Sequence, residues 1–303
     1  MSLLVVGTVA FDGLETPFGV RESILGGSAT YIGISAGYFV DKVNLVSVVG
    51  GDFPKADIEL LKEKNIDTEG LQVIKEGKTF FWKGKYHNDM NSRDTLDTQL
   101  NVLESFDPLI PENYKDCKYL MLGNLVPSIQ LKVLEQLTQR PKLVVMDTMN
   151  LWMDATMDDL KKMLKKVDLL TINDEEARQL SEENNLIKAA EKIKTMGPST
   201  LIIKKGEHGA LLFGKAQEIF FTPALPLQKV VDPTGAGDSF AGGFMGYLST
   251  VQSHNEIEFK NACVYGTVMA SLCVEDFGAN NTLKLTIEKI NKRKNLLLNQ
   301  IKI

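Results

Sequence analysis

At 303 residues, 44% hydrophobic and 24% charged, the chain can fill one large α/β domain or two smaller ones, with ample material for a core. A formal charge of −5 and a pI near 5.4 leave no basic footprint for nucleic acid. Three scattered cysteines, Cys117, Cys263 and Cys273, form no CxxC pair, which argues against a zinc site or disulfide framework and suits a reducing cytoplasm.

The start of the chain, residues 1–7, lacks a basic region, and no later run approaches the apolar length of a membrane span, so a cytosolic protein is expected. Residues 3–6 read as a buried strand ending at Gly7, and 43–49 as a second, closed by Gly50-Gly51-Asp52. Between them, 28–39 is small and apolar, suited to a helix packed closely on a sheet. Residues 55–64 carry Ile58, Leu60 and Leu61 among charges, the pattern of an amphipathic surface helix. Residues 71–90 change character, with 71–74 and 79–85 reading as short strands of a hairpin or edge sheet. After Pro108 and Pro111 the alternation resumes. Strands are predicted at 119–122, 143–146, 169–172 and 201–203, and helices at 128–139, 157–166, 174–180 and 186–196, the last stopped by Gly197-Pro198. Thr156 and Asp159 resemble a capping box at the start of helix 157–166, and a hairpin-like pair surrounds Gly214. Strands alternating with helices mean a mostly parallel sheet covered on both faces, here one α/β domain with a small β excursion.

The most informative stretch is Asp232-Pro233-Thr234-Gly235-Ala236-Gly237-Asp238, followed by small and apolar residues that suit a buried helix. At such a helix start the N–H groups of Gly235, Ala236 and Gly237 have no intrahelical partner. They form an anion site that glycine opens to close approach. The helix dipole favours negative charge there by ~0.3–1 kcal/mol. Asp238 sits one step inside, where the same dipole is expected to keep it ionised, ready to accept a hydroxyl proton beside an incoming phosphoryl group.

The segment from Asp232 through Phe244 resembles the signature of the PfkB, or ribokinase-like, family of carbohydrate and nucleoside kinases, and the order of other motifs agrees over nearly the whole chain. The resemblance implies a doubly wound, mostly parallel sheet flanked by helices in a single domain spanning 1–303, with a small β lid from about 13–25 and 71–100. It implies transfer of the γ-phosphate of ATP, with Mg2+, to a hydroxyl of a sugar or nucleoside. Asp238 would be the base, and the backbone of Gly235, Ala236 and Gly237 the anion hole.

Asn173-Asp174-Glu175-Glu176 reads on its own as a helix cap with acids on the dipole. The family's Asn-x-x-Glu motif instead assigns Asn173 and Glu176 to phosphates and, through water, to Mg2+. Lys205, Gly206 and Gly209 border the nucleotide by resemblance and form a solvated turn by themselves. Asp12 matches the family aspartate that grips sugar hydroxyls, and Gly26 with Gly27 the early glycine pair. Asn124 lies at a strand end where substrate contacts are expected, and Asp147 with Asn150 follows an Asp-x-x-Asn pattern. Asp232 and Thr234 match positions where some relatives bind a monovalent cation such as K+, with Gly278 nearby. Relatives also dimerise through the lid, which implies a homodimer.

Two departures concern the acceptor. Tyr31 stands where many members carry Asn, and the short span from Asp12 to Gly26 predicts a trimmed lid. Arg93 is a clamp for a phosphate-bearing acceptor or a lid salt-bridge residue; Lys83, Lys85 and His87 alternate along the same lid. Other classes fit less well. There is no Walker A loop, no Gly-x-Gly-x-x-Gly after the first strand for an NAD-binding oxidoreductase, and no hydrolase elbow. A catalytically silent ligand sensor on the same fold is the remaining alternative, and intact Asp238, Asn173 and Glu176 weigh against it.

Overall fold

The computed structural model describes residues 2–215 and 218–302. In chain order its strands are β1 (Leu3–Val6), β2 (Ala10–Thr16), β3 (Gly19–Gly26), β4 (Val43–Gly50), β5 (Ile66–Ile74), β6 (Phe81–Tyr86), β7 (Arg93–Gln99), β8 (Tyr119–Leu122), β9 (Leu143–Asp147), β10 (Leu169–Asn173), β11 (Thr200–Lys204), β12 (Ala210–Phe213) and β13 (Ile219–Thr222). They form a large sheet in the order β13-β12-β11-β10-β9-β8-β1-β4-β5 and a small one in the order β3-β2-β6-β7. The large sheet is parallel from β11 to β5, and β12 and β13 add an antiparallel edge.

The central strands β1 and β8 are apolar without interruption because both faces are covered. Along β1, Leu3 and Val5 face the helices Ser28–Ala36, Ala236–Leu248 and Glu256–Cys273, while Leu4 and Val6 face the core beneath Pro127–Gln136, Met157–Leu164 and Leu186–Thr195. Each such side chain, removed from water, contributes roughly 1.5–3 kcal/mol. The chain winds from β1 to β4 and β5 in one direction and from β8 to β11 in the other. The order therefore reverses between β1 and β8, and the carboxyl ends there open a crevice suited to ligands.

The small sheet is the lid, and its boundaries differ from the expectation. Residues 71–74 belong to β5, which pairs with β4 from Val46↔Gly70 to Gly50↔Ile74 at the edge of the large sheet. The polar run Asp67-Thr68-Glu69 hid the continuity of this strand with buried Ile66. The first lid arm is not trimmed either. β2 and β3 pair from Ala10↔Gly26 to Thr16↔Gly19, and the connection between them needs only Pro17 and Phe18. The lid packs on the main body through Leu14 and Tyr86, which cluster with Val231 and Phe277.

Two helical details also differ. A helix at Asn150–Ala155 precedes the predicted one. Thr156 closes it by donating its hydroxyl to Trp152 O at 3.1 Å, so it gives no side-chain cap to Met157–Leu164. Among the described residues, no helix is long and apolar enough to cross a membrane.

Candidate active site

The carboxyl ends of β9, β10 and β11 deliver Asp147, Asn173 and Lys204 to one rim, and the late turn 232–237 meets them there. Asp232 pins that turn. It is fully buried, and its Oδ1 accepts from Thr234 N at 2.9 Å while Oδ2 accepts from Gly278 N at 2.8 Å. Burial above all raises its carboxyl, and the hydrogen bonds from Gly278 and Thr234 pull it back. The lid closes on the same turn, since Thr234 Oγ1 lies 3.1 Å from Tyr86 Oη.

Gly235 caps the helix Ala236–Leu248 with φ 74° and ψ 2°, a left-handed conformation that favours glycine. The expected trio of free donors is reduced to two. Ala236 N donates to Pro233 O at 3.1 Å, closing the turn, whereas among the described residues the N–H groups of Gly235 and Gly237 meet no protein acceptor.

Asp238 follows, part-buried in the first turn. The dipole does not hold it in the ordinary carboxylate range. Burial and then the charge of Asp147 push it up to about 7, against the pull of Lys204 and Arg93. Desolvation here outweighs a helix terminus.

Asn173 and Glu176 form a reciprocal capping box: Glu176 N donates to Asn173 Oδ1, and Asn173 N to Glu176 Oε2, both at 2.7 Å. Glu176 is buried, and burial with the Asp147 charge raises it to about 7 while Lys204 opposes. The pair is thus a cap and also a wall of the site, with Glu176 Oε1 outside the box.

The lysine that enters the site is Lys204, one residue before the predicted Lys205. Its Nζ sits 2.8 Å from Asp147 Oδ2, with only 16% of the lysine side chain and 8% of the aspartate exposed. Burial pulls the ammonium down, but Asp147, Glu176 and Asp238 outweigh it and hold Lys204 above the usual lysine value. Lys205 lies 6.0 Å from the centroid of Phe221, on the hairpin side. Gly206 opens a one-turn helix, Gly206–His208, and Gly209 closes it by accepting from Lys205 N at 2.7 Å. The lid reaches this loop through Asn91, which donates to Glu207 at 3.0 Å.

Asp12, expected at the acceptor, is buried in β2, facing Gly26. A Cβ at position 26 would stand 2.0 Å from Asp12 Oδ2, so only glycine leaves room for the carboxylate. Gly27 caps the helix Ser28–Ala36. Tyr31 Oη donates to Asp12 Oδ2 at 3.4 Å, so the residue standing in the family's Asn slot braces Asp12. Asn124 Oδ1 accepts from Trp152 Nε1 at 2.7 Å and keeps one lone pair, while its Nδ2 turns to Met149 Sδ. In the lid, Lys83 pairs with Glu15 and Glu22, and His87 with Asp94. Arg93 lies 5.7 Å from the Trp82 ring, and its charge acts on Asp238 and Glu176.

Burial, then Asp232 and Asp238, raise Asp12 to about 7. Between its ordinary value near 4 and about 7, the folded chain binds a proton that the unfolded chain has released. The stabilisation from that proton is complete at low pH and lost as pH rises through 7. Asp12→Asn is therefore expected to melt higher than wild type at pH 8, by on the order of 3 °C, with the advantage shrinking toward pH 4. Paired thermal melts across that range check it; an advantage that grew on acidification would contradict the sign.

The chain matches the family model described as pfkB family carbohydrate kinase over residues 21–285. It is 33% identical over 251 residues to a cytidine kinase of Thermococcus kodakarensis, covering 81% of this chain and 87% of that protein. Among solved structures it is similar to a nucleoside kinase of Burkholderia thailandensis in complex with inosine (TM-score 0.82, 19% identity, 98% of each chain). It is also similar to an Escherichia coli structure of the ribokinase II type with ATP and Mg2+ (TM-score 0.80, 18% identity, 97% of this chain and 99% of that one). These two share the fold of the present chain. A match that takes in most of the lid as well as the late turn leaves one reading: the chain belongs to the pfkB family of carbohydrate kinases, which are phosphotransferases.

Proposed function

We propose that this chain is an ATP-dependent nucleoside kinase, with Asp238 as the base that accepts the proton of the attacking hydroxyl. The observation that carries the reading is the turn itself: free N–H groups at Gly235 and Gly237, next to a carboxylate poised near 7. Asp12 orients the acceptor hydroxyls. The new bond forms between the acceptor oxygen and the γ-phosphorus, and the bond to the ADP oxygen breaks. Asp238 takes the proton, and the Gly235 and Gly237 N–H groups with Arg93 face the charge on the phosphoryl oxygens.

The rim also fits a hydrated Mg2+. Three carboxylates, Asp147, Glu176 and Asp238, meet there, and among the described residues no group of three acids, histidines or cysteines is arranged to ligate a metal directly. Asn173 and Glu176 would hold the ion through its water, and when bound it neutralises phosphate charge. Asp232, buried and accepting from the N–H groups of Thr234 and Gly278, fits K+ as a counter-charge, with Thr234 beside it.

A nucleoside acceptor is favoured over a bare sugar by the likeness to the cytidine kinase of T. kodakarensis, which is 33% identical over 251 residues.

The test is ADP release by the purified protein over nucleosides, free pentoses and hexoses, and sugar phosphates, in KCl and in tetramethylammonium chloride. Turnover is expected with nucleosides, cytidine among them, and faster in potassium. Turnover confined to sugars would overturn the nucleoside assignment, and no ADP release with any of these acceptors would overturn the kinase reading. Equal rates in the two salts would remove the cation from Asp232.

A further inference from the structure

We propose that Lys204 is a catalytic cation of the transfer step, its ammonium held by Asp147 and touching an oxygen of the γ-phosphoryl group at the Gly237 rim. The proposal rests on the kinase reading above and adds a residue that no sequence motif singled out.

Four observations carry it. β11 is buried up to its last residue, and its register sets Lys204 opposite Asn173, so the lysine reaches the rim where the capping box stands. Its ammonium lies 3.0 Å from the point where a Cβ of residue 237 would be, against one of the two glycines whose N–H groups lack a protein acceptor. The Asp147 contact occupies one of three ammonium hydrogens and leaves two to donate. Asp147 is itself pinned, since its Oδ1 accepts from Thr148 N at 2.8 Å, so it acts as the positioning residue for the lysine.

The charge balance explains why a cation stands here. Asp147, Glu176 and Asp238 surround the ammonium, and a triphosphate would add more negative charge to the same rim. The cations acting on Asp238 are Lys204 from the large sheet and Arg93 from the lid. Fold stability does not demand the pair, because a buried ion pair commonly does no better than apolar residues of the same volume. Lys204 keeps its proton throughout; the proton that moves is the acceptor's, and it goes to Asp238.

The experiment compares ADP and the non-hydrolysable analogue AMP-PNP by calorimetry on the full chain, alongside kcat. Loss of a charge-assisted contact predicts that Lys204→Met weakens AMP-PNP by ~10–100-fold while ADP changes by less than ~3-fold. Lys204→Arg should recover part of the loss. Because the single variant strands the Asp147 charge, the neutral pair Lys204→Met with Asp147→Asn is measured beside it, and should keep the wild-type melt but not the AMP-PNP affinity. Equal losses for ADP and AMP-PNP, or a neutral pair that binds AMP-PNP as wild type does, would overturn the assignment of Lys204 alone. Wild-type protein that binds neither nucleotide would overturn it together with the kinase reading.

Discussion

Asp238→Asn is expected to lower kcat by at least ~10²-fold while changing AMP-PNP affinity only a few-fold, the pattern of a lost general base. The amide keeps the size of the carboxylate and the first turn of the helix Ala236–Leu248, so the anion site survives and only the proton acceptor is removed. The wild-type enzyme should show the corresponding pH dependence. Burial and Asp147 raise Asp238 to about 7, Lys204 and Arg93 pull it down, and Asp12 shares the chamber. A base works when ionised, so kcat/KM should fall as pH drops below about 7 and level off above it. Turnover measured from pH 5.5 to 9 with saturating Mg2+ checks this. A flat profile, or near-normal turnover in the Asn variant, would move the base elsewhere.

The upward shift of Asp238 was the part of the site least legible in the sequence. The segment from Asp232 through Phe244 is local, so its turn, its helix and the exposed amides could be read from residue order alone. The pKa depends on what surrounds the carboxylate, and Asp147 and Lys204 arrive from strands 91 and 34 residues earlier in the chain.

The two adjacent lysines show the same limit. Lys204 and Lys205 look alike in sequence, but they point to opposite sides of the strand end, and the pairing of β11 between β10 and β12 decides which one meets Asp147. The parallel order of the sheet was legible because uninterrupted apolar runs such as Leu3–Val6 and Tyr119–Leu122 need cover on both faces. β5 was not, because an edge strand needs only one buried face and carries Asp67 and Glu69 without penalty.

Gly235→Ala is expected to abolish turnover and lower stability together, through two separate faults. An alanine at φ 74° is strained by ~1–2 kcal/mol, and overpacking a filled core adds ~1–3 kcal/mol. The second fault has an address: a Cβ at 235 would lie 2.4 Å from the ring of Tyr31, which is 2% exposed and cannot withdraw into solvent. Tyr31 also holds Asp12, so pushing the ring shifts Asp12 while the strained turn moves the residue-235 N–H out of place. Thermal melts and ADP release on Gly235→Ala, with and without Tyr31→Leu, separate the faults. The second change should return part of the stability by removing the clash but none of the turnover, because the backbone strain at 235 and the missing brace on Asp12 both persist. A single variant that melted and turned over as wild type does would show that the Tyr31–Gly235 contact holds neither the turn nor Asp12 in place.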